Sequence, residues 1–572
     1  MSDPDLVALY GREAGCAASH RLDGLLSGWR GRIAPKRTRE LCERDAVLIT
    51  YPDMLREVGV PPLTCLSGFC GRHLADIVTC IHVLPPYPSS SDGGFSVIDY
   101  RGIDPMWGSW EDLERLGDRF SLMLDAVVNH VSAESRWFQA FLHDDPAYQN
   151  FFLTVPEGVD LSAVVRPRSL PLLSRFTTPS GEKRLWTTFS ADQIDLNYGE
   201  PAVLLQMIDT LLFYASHGAS LIRLDAVGFL WKRPGTSCLH LPETHGVVRL
   251  FRRALERSAP HVLLVTETNV PHEDNVSYFG NGVDEAHLVY NFALPPLTLH
   301  AFHAGNATTL SRWALGLSTP SHRTAFLNFL ASHDGIGLNP ARGILGEDGI
   351  RMLVDRALTH GGLVSYRDGP DGSPVPYELN INYFDALSNP GVDEDTHLRV
   401  DRFLTAHAIL MALSGVPTLY FHSLFGSVGW RLGVEAGGGN RAINREHCDL
   451  EVLERELADA ASRRSLVFTG MKRLLAARAA HPAFHPQGGQ SVLHPDDGVF
   501  ALLRTSPDRS ERILCVHNVS GLRKSLSWNP REIFGFVPTA MTDVISGSGP
   551  MPANAPLPLG PYQSLWLKPT GE

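Results

Sequence analysis

Short apolar runs alternate along this chain with longer stretches of helical periodicity. Residues 47–51, 76–84 and 121–128 are rich in aliphatic and β-branched side chains and stop at polar positions. Such runs fit parallel strands buried on both faces. Residues 201–217 carry an apolar helical pattern that leads into a strand at 219–224, and residues 248–257 predict a helix before a strand at 261–266. A helix over 401–414 and a strand at Val416–Tyr420 complete the series. Strand and helix taking turns imply an α/β fold.

The alternation fails in two places, residues 131–196 and 336–400, the second holding Gly361-Gly362 and a Gly/Pro-rich segment at 369–376. Residues 1–45 are polar, Arg-rich and helix-prone, and residues 485–572 read as short β segments separated by Gly, Pro and Asn.

Three of the runs lead to a carboxylate: Ile222-Arg223-Leu224-Asp225, Val265-Thr266-Glu267 and Ala331-Ser332-His333-Asp334. One acid after a buried strand commonly caps a helix or pairs in a loop. Three of them in this order suit chemistry at an anomeric carbon. Cleavage with retention needs a carboxylate nucleophile and an acid for the leaving oxygen, roughly 5 Å apart. Asp225 and Glu267 are the candidates. Arg223, two residues before Asp225, points to the same side of an extended strand and can keep that carboxylate ionised. His333 places a neutral imidazole donor beside Asp334, a pairing suited to sugar hydroxyls.

With these motifs the chain resembles the retaining α-glucosidases and α-amylases of glycoside hydrolase family 13, and within it the sucrose phosphorylase subgroup. The likeness covers about nine tenths of the sequence. Val47-Leu48-Ile49-Thr50-Tyr51, His82-Val83-Leu84-Pro85, Asp125-Ala126-Val127-Val128-Asn129-His130, the three acid motifs and Arg441-Ala442-Ile443-Asn444-Arg445 follow in family order. The resemblance implies a (β/α)8 TIM barrel with two inserted loop domains and a C-terminal β-sandwich-like domain. The barrel would comprise residues 46–130, 197–335 and 401–484. Residues 131–196 and 336–400 would be the insertions, 485–572 the β domain, and 1–45 a helical extension. A chain of 572 residues suits a barrel of about 250 residues or more with added modules.

The resemblance also implies site roles. Asp225 would be the nucleophile, Glu267 the general acid/base, and Asp334 the acid that grips two sugar hydroxyls. Arg223, His130 and His333 would complete the glucose subsite. Ser91-Asp92-Gly93-Gly94-Phe95 resembles the loop whose Asp holds distal glucose hydroxyls and whose Phe offers a flat face; alone, Asp92-Gly93 reads as a turn. Arg441 sits where the family places a second glucose-binding cation, and an Asp92–Arg441 ion pair would close the pocket end. Phe189 and Gln193 would shape the glucosyl-enzyme pocket.

The acceptor divides the subgroup. Phosphorolysis brings a phosphate dianion beside acids, which demands positive charge and donors. Arg166-Pro167-Arg168 resembles the phosphate-side arginine segment, with Arg168 the candidate, although Arg-Pro-Arg alone reads as a solvated loop. Tyr377 resembles the mobile-loop tyrosine. In sucrose phosphorylases an Asp that binds fructose precedes this tyrosine by two positions; here Val375 stands there, and Glu378 replaces the usual Gln. Phe229 and Thr268 depart as well. Loss of an acid lowers repulsion toward an anionic acceptor, and Trp231-Lys232-Arg233 adds cations. These features, with the segments 377–382 and 238–242, look most like the glucosylglycerate phosphorylases of the subgroup. Sucrose, sucrose 6′-phosphate and glucosylglycerol remain alternative substrates, and an α-glucosidase using water is the alternative reaction. A non-catalytic relative is disfavoured, because the three acids are present.

Composition adds exclusions. Net charge is −12, from 62 acidic and 50 basic residues, so nucleic acid is an unsuitable partner. The eight cysteines show no C-x-x-C pair and no zinc spacing. The N-terminus Met1-Ser2-Asp3-Pro4-Asp5 lacks a secretory pattern, and no apolar run reaches the ~18 residues of a membrane span. The expectation is a cytoplasmic monomer or homodimer acting on a small sugar and phosphate, with no membrane role. Without a G-x-G-x-x-G or P-loop fingerprint no organic cofactor is expected. Some relatives bind calcium near the position of Asn129, but the subgroup implies no required metal, leaving inorganic phosphate as co-substrate.

Overall fold

A computed structural model describes residues 3–35, 40–369 and 372–571. Residues 1, 2 and 36–39 of the expected extension, 370 and 371 of the second expected insertion, and 572 lie outside the described residues.

Eight strands form the centre: β1 (Val47–Thr50), β2 (Cys80–Val83), β3 (Ser121–Val127), β4 (Ala219–Asp225), β5 (Leu263–Thr266), β6 (Leu288–Tyr290), β7 (Ala325–Asn328) and β8 (Val416–Tyr420). They close into a parallel barrel in chain order, Val47 pairing with Cys80 on one side and with Thr418 on the other. Nearly every strand residue is buried, because side chains fill the barrel inside and helices cover it outside. Val47, Cys80, Leu221, Leu263 and Val416 meet at its floor with Leu41. The fold class is therefore a (β/α)8 barrel.

Element ends differ from the sequence expectation where local chemistry outweighs periodicity. The second strand starts at Cys80 instead of 76, because Ile77 and Val78 donate to Leu74 O in a turn. The helix expected over 248–257 spans Pro242–Ser258, with Pro242 supplying a preset first turn and Glu243 facing the positive helix end. The helix expected over 401–414 spans Thr396–Ala412, since Asp395 caps it by accepting from Leu398 N at 3.1 Å. Strand β6, of three residues, was too short for a periodic signal, and β7 ends at Asn328, short of the run that the sequence pattern carried to Asp334.

The helix α1 (Pro4–Trp29) breaks at Gly11, whose φ of +77° is in the left-handed region. Its first turns fold back on the rest, so closely at Gly15 that a Cβ would stand 2.5 Å from Leu6 O. This hairpin docks on α2 (Pro201–Ser216) through a Trp29 Nε1 to Asp209 bond of 2.7 Å. It docks on α3 (Pro242–Ser258) through Arg249–Asp5 and Arg253–Asp3 pairs, each of 2.7 Å.

After β3 the chain forms a strand pair, His130–Ser132 with Gln193–Asp195, and a hairpin of Leu173–Thr178 with Gly181–Trp186. After β7 it builds a three-stranded antiparallel sheet, Ile336–Gly337, Pro374–Asn380 and Leu363–Asp368, beside the helix Glu347–Thr359. Both excursions lie over the barrel's C-terminal end, as Arg166 and Asp368 show by pairing across them at 3.3 Å. The C-terminal part is a six-stranded antiparallel sheet with a separate apolar cluster that includes Val499, Leu514, Met541 and Leu567.

Candidate active site

The C-terminal ends of the strands converge on one pocket. β4 delivers Arg223 and Asp225 to the same side, and Arg223 Nη1 donates to Asp225 Oδ1 at 3.0 Å. The same guanidinium pairs with Asp125 of β3, which also takes His82 Nε2 of β2 at 2.8 Å. A carboxylate inside an apolar strand is tolerated only when paired. Asp125 and His82 thus hold Arg223 in place, a role the sequence reading did not assign although Asp125 stands conspicuously within an apolar run.

Glu267 follows β5 directly. Its Oε2 accepts the N–H of Ala226 at 3.2 Å and lies 3.9 Å from Arg223 Nη2. Ala226 reaches this bond from a left-handed backbone, φ +53°, a conformation that costs an L-residue about 1–2 kcal/mol. The turn after Asp225 is thereby tied to the second acid.

Asp334 lies six residues beyond the end of β7, so here the apolar run does not stop on the carboxylate as the sequence pattern suggested. It is held by cations instead: Arg441 Nη1 stands 2.5 Å from its Oδ1, with Arg445 Nη2 and His333 Nε2 each at 3.5 Å. Burial would raise this carboxyl, but Arg441, His333 and Arg445 outweigh it and keep Asp334 well below the usual range.

Asp225 and Glu267 behave differently. Burial raises both, Arg223 pulls both down, and repulsion from neighbouring acids raises them further. Two acids in one dry pocket retain a shared proton. Arg223 stands 3.0 Å from Asp225 and 3.9 Å from Glu267, which favours the charge on Asp225 and the proton on Glu267.

The opposite wall carries Asp92, which accepts from Arg168 Nη2 at 2.9 Å and Gln193 Nε2 at 3.1 Å. The expected Asp92–Arg441 ion pair does not form. Arg441 is engaged by Asp334 and, through Nε and Nη2, by both oxygens of Glu378 at 3.0 and 2.7 Å. Arg168 takes the seat on Asp92 because the segment holding Val165–Arg168 folds over the pocket and lays its guanidinium above Phe189, 5.6 Å from the ring centre. Arg168 therefore lies on the Asp92 side of the pocket, whereas the resemblance placed it beside phosphate. Glu378, expected among the acceptor ligands, has both oxygens committed to Arg441.

His130 donates from Nε2 to Phe95 O at 3.0 Å, and burial lowers its pKa to about 4, leaving it neutral. His333 stacks on Phe95, 5.0 Å between centroids with planes 6° apart, and burial lowers it to about 3. Phe189 meets Phe229 edge-on at 5.4 Å and His130 at 5.1 Å, giving an apolar wall. Tyr377 completes the lining. The cavity holds about 230 Å³, just below the usual range of ligand pockets (~300–1,000 Å³), which suits a small ligand.

Asn129 Oδ1 and Asp195 Oδ2, oxygens that could serve a cation, each lie 2.7 Å from the buried Lys232 Nζ. Their charge requirement is met by that ammonium. Among the described residues no group of three His, Cys, Asp or Glu side chains is arranged to hold a metal ion.

A parallel eight-stranded barrel with three carboxyls gathered in a pocket at its C-terminal end, two of them raised by burial and one clamped by arginine, belongs to the α-amylase class of glycoside-transforming enzymes. The chain is a member of that family: residues 74–335 match Alpha-amylase, described as alpha amylase, catalytic domain. Among curated proteins it is 48% identical to the glucosylglycerate phosphorylase of Spirochaeta thermophila, over 99% of this chain and 97% of that one. It is 52% identical to the glucosylglycerate phosphorylase of Allomeiothermus silvanus, over 90% and 91%. Among solved structures, the sucrose 6F-phosphate phosphorylase from Thermoanaerobacter thermosaccharolyticum superposes with a TM-score of 0.72 at 25% identity, covering 86% of this chain and 95% of that one.

Proposed function

We infer that this chain is a retaining glycoside phosphorylase that converts 2-O-α-D-glucosylglycerate and phosphate reversibly into α-D-glucose 1-phosphate and glycerate. The observation that carries the reading is near full-length identity of about one half to two glucosylglycerate phosphorylases. The geometry supplies a matching chemistry. Asp225, ionised beside Arg223, attacks the anomeric carbon as Glu267 passes its proton to the leaving glycerate oxygen, giving a β-glucosyl ester on Asp225. Glu267, now a carboxylate, takes a proton from phosphate as a phosphate oxygen displaces Asp225. Two inversions restore the α configuration. Asp334 and Asp92 are assigned to glucose hydroxyls, with neutral His333 as a further donor; His130, whose single N–H goes to Phe95 O, packs beside them. Phe95 and Phe189 contribute apolar faces that exclude water.

Phosphate is the one co-substrate of this scheme, and no step calls for a metal or an organic cofactor. Cytoplasmic residence is part of the reading; the lack of a disulfide among the described residues supports it. Among the described residues no helix is long and apolar enough to cross a membrane. The substrates are small molecules, and monomer or homodimer is the proposed state. The test of the substrate is a comparison of kcat/KM for glucosylglycerate, sucrose, sucrose 6′-phosphate and glucosylglycerol at saturating phosphate. Glucosylglycerate should lead; phosphorolysis of sucrose far faster than of glucosylglycerate would sink the assignment.

A further inference from the structure

Among the guanidiniums that line the same pocket, those of Arg342 and Arg367 stand apart from the ones paired to acids. Arg367 lies on the strand Leu363–Asp368, and Arg342 directly follows the short turn Asn339–Ala341. The strand Pro374–Asn380 ties them together. Arg367 is in register with Val375, and Arg342 Nη2 donates to Pro376 O at 2.9 Å, one residue before Tyr377.

Both arginines are under-compensated. Among the described residues Arg367 has no carboxylate within ion-pair distance, and the one near Arg342 is Glu347, 3.6 Å away and 81% exposed. Each keeps a buried Nε without a hydrogen-bond partner. Burial and then the charge of Arg342 both act against the charged form of Arg367. The other arginines that line the pocket are each paired: Arg441 with Asp334 at 2.5 Å, Arg168 with Asp92 at 2.9 Å and Arg166 with Asp368 at 3.3 Å. Val375, opposite Arg367, brings no acid to this corner. Two neighbouring guanidiniums with spare donors beside a reacting site call for an anion from solution, and a planar carboxylate matches their geometry.

We propose that Arg342 and Arg367 form an anion clamp that holds the carboxylate of the acceptor beside its reacting hydroxyl, selecting a 2-hydroxy acid over a neutral polyol. The proposal rests on the phosphorylase reading. Phosphate offers guanidinium the same chemistry, so the test separates the two anions. Arg342→Gln, Arg367→Gln and Arg367→Lys are assayed in the synthetic direction from α-glucose 1-phosphate, with glycerate and with glycerol as acceptor. Phosphate is varied in the reverse direction. Either Gln variant should raise KM for glycerate by about tenfold or more, while kcat/KM with glycerol and KM for phosphate stay within about twofold of the parent. The lysine variant should recover part of the loss. Glycerol turnover reports that each variant is folded. Unchanged KM for glycerate in both Gln variants would overturn the clamp and leave the phosphorylase reading standing. A rise in KM for phosphate without one for glycerate would also overturn it, giving these arginines to phosphate. A parent enzyme that glucosylates glycerol and not glycerate would overturn both.

Discussion

Arg441 and Glu378 lie side by side with two parallel hydrogen bonds, Nε to Oε1 at 3.0 Å and Nη2 to Oε2 at 2.7 Å, while Arg441 Nη1 reaches Asp334 at 2.5 Å. Glu378 is thus the support that aims Arg441 at the third acid. Its side chain is 2% exposed, so breaking the pair leaves a charge poorly compensated. Glu378→Ala is expected to cost about 3 kcal/mol of stability, read as a lowered midpoint in denaturant. Glu378→Gln, which keeps one acceptor, should cost less. A variant without either loss would remove Glu378 from this supporting role.

Asp225→Asn should lower turnover by at least about 10³-fold with the fold intact. Glu267→Gln has a different signature. It should lose about 10²–10⁴-fold with glucosylglycerate, whose leaving oxygen needs a proton, and far less with α-glucosyl fluoride, whose leaving group does not. Equal losses with both donors would contradict the acid role of Glu267.

The pH dependence of kcat/KM should be bell-shaped. Activity needs Asp225 ionised and Glu267 protonated, so protonation of the pair gives the acid limb and loss of its last proton the alkaline limb. Both carboxyls are raised by burial, which moves both limbs to higher pH than free carboxyls would give. With α-glucosyl fluoride as donor, Glu267→Gln should lose the alkaline limb; a limb that persists belongs to another group.

Arg168 on Asp92 makes a prediction that separates the two ends of the pocket. Arg168→Ala should slow formation of the glucosyl-enzyme, measured in a single turnover without phosphate, by about tenfold. If that rate is unchanged and KM for phosphate alone rises, Arg168 serves phosphate.

Lys232 is buried against Asp195 and Asn129. Lys232→Met leaves Asp195 with an uncompensated charge and should destabilise by about 3–5 kcal/mol, whereas a chelator should leave parent activity unchanged. Loss of activity in chelator would show that a metal is required.

Much of this was legible in the chain because the residues concerned act within their own strand or its end. Arg223 and Asp225 share a side by strand periodicity alone, and Glu267 needs only the end of β5. What could not be read are choices between distant partners. Arg168 and Arg441 both had access to an acid, and which one took Asp92 depended on how a long segment after β3 folds over the barrel. Glu378 looked like an acceptor ligand from its place beside Tyr377; only the antiparallel sheet after β7 turns it onto Arg441. Asp125 opens the motif Asp125–His130, yet its task, holding Arg223 with His82, requires three strands brought side by side. Strand β6 escaped because three residues carry no period.

The most direct measurement is the product balance from 2-O-α-glucosylglycerate with and without inorganic phosphate, resolving glucose 1-phosphate by anomer from free glucose. Phosphate-dependent release of the α-anomer with little free glucose is expected. Free glucose at the same rate without phosphate would mean that water is the acceptor, and β-glucose 1-phosphate would contradict the covalent intermediate on Asp225.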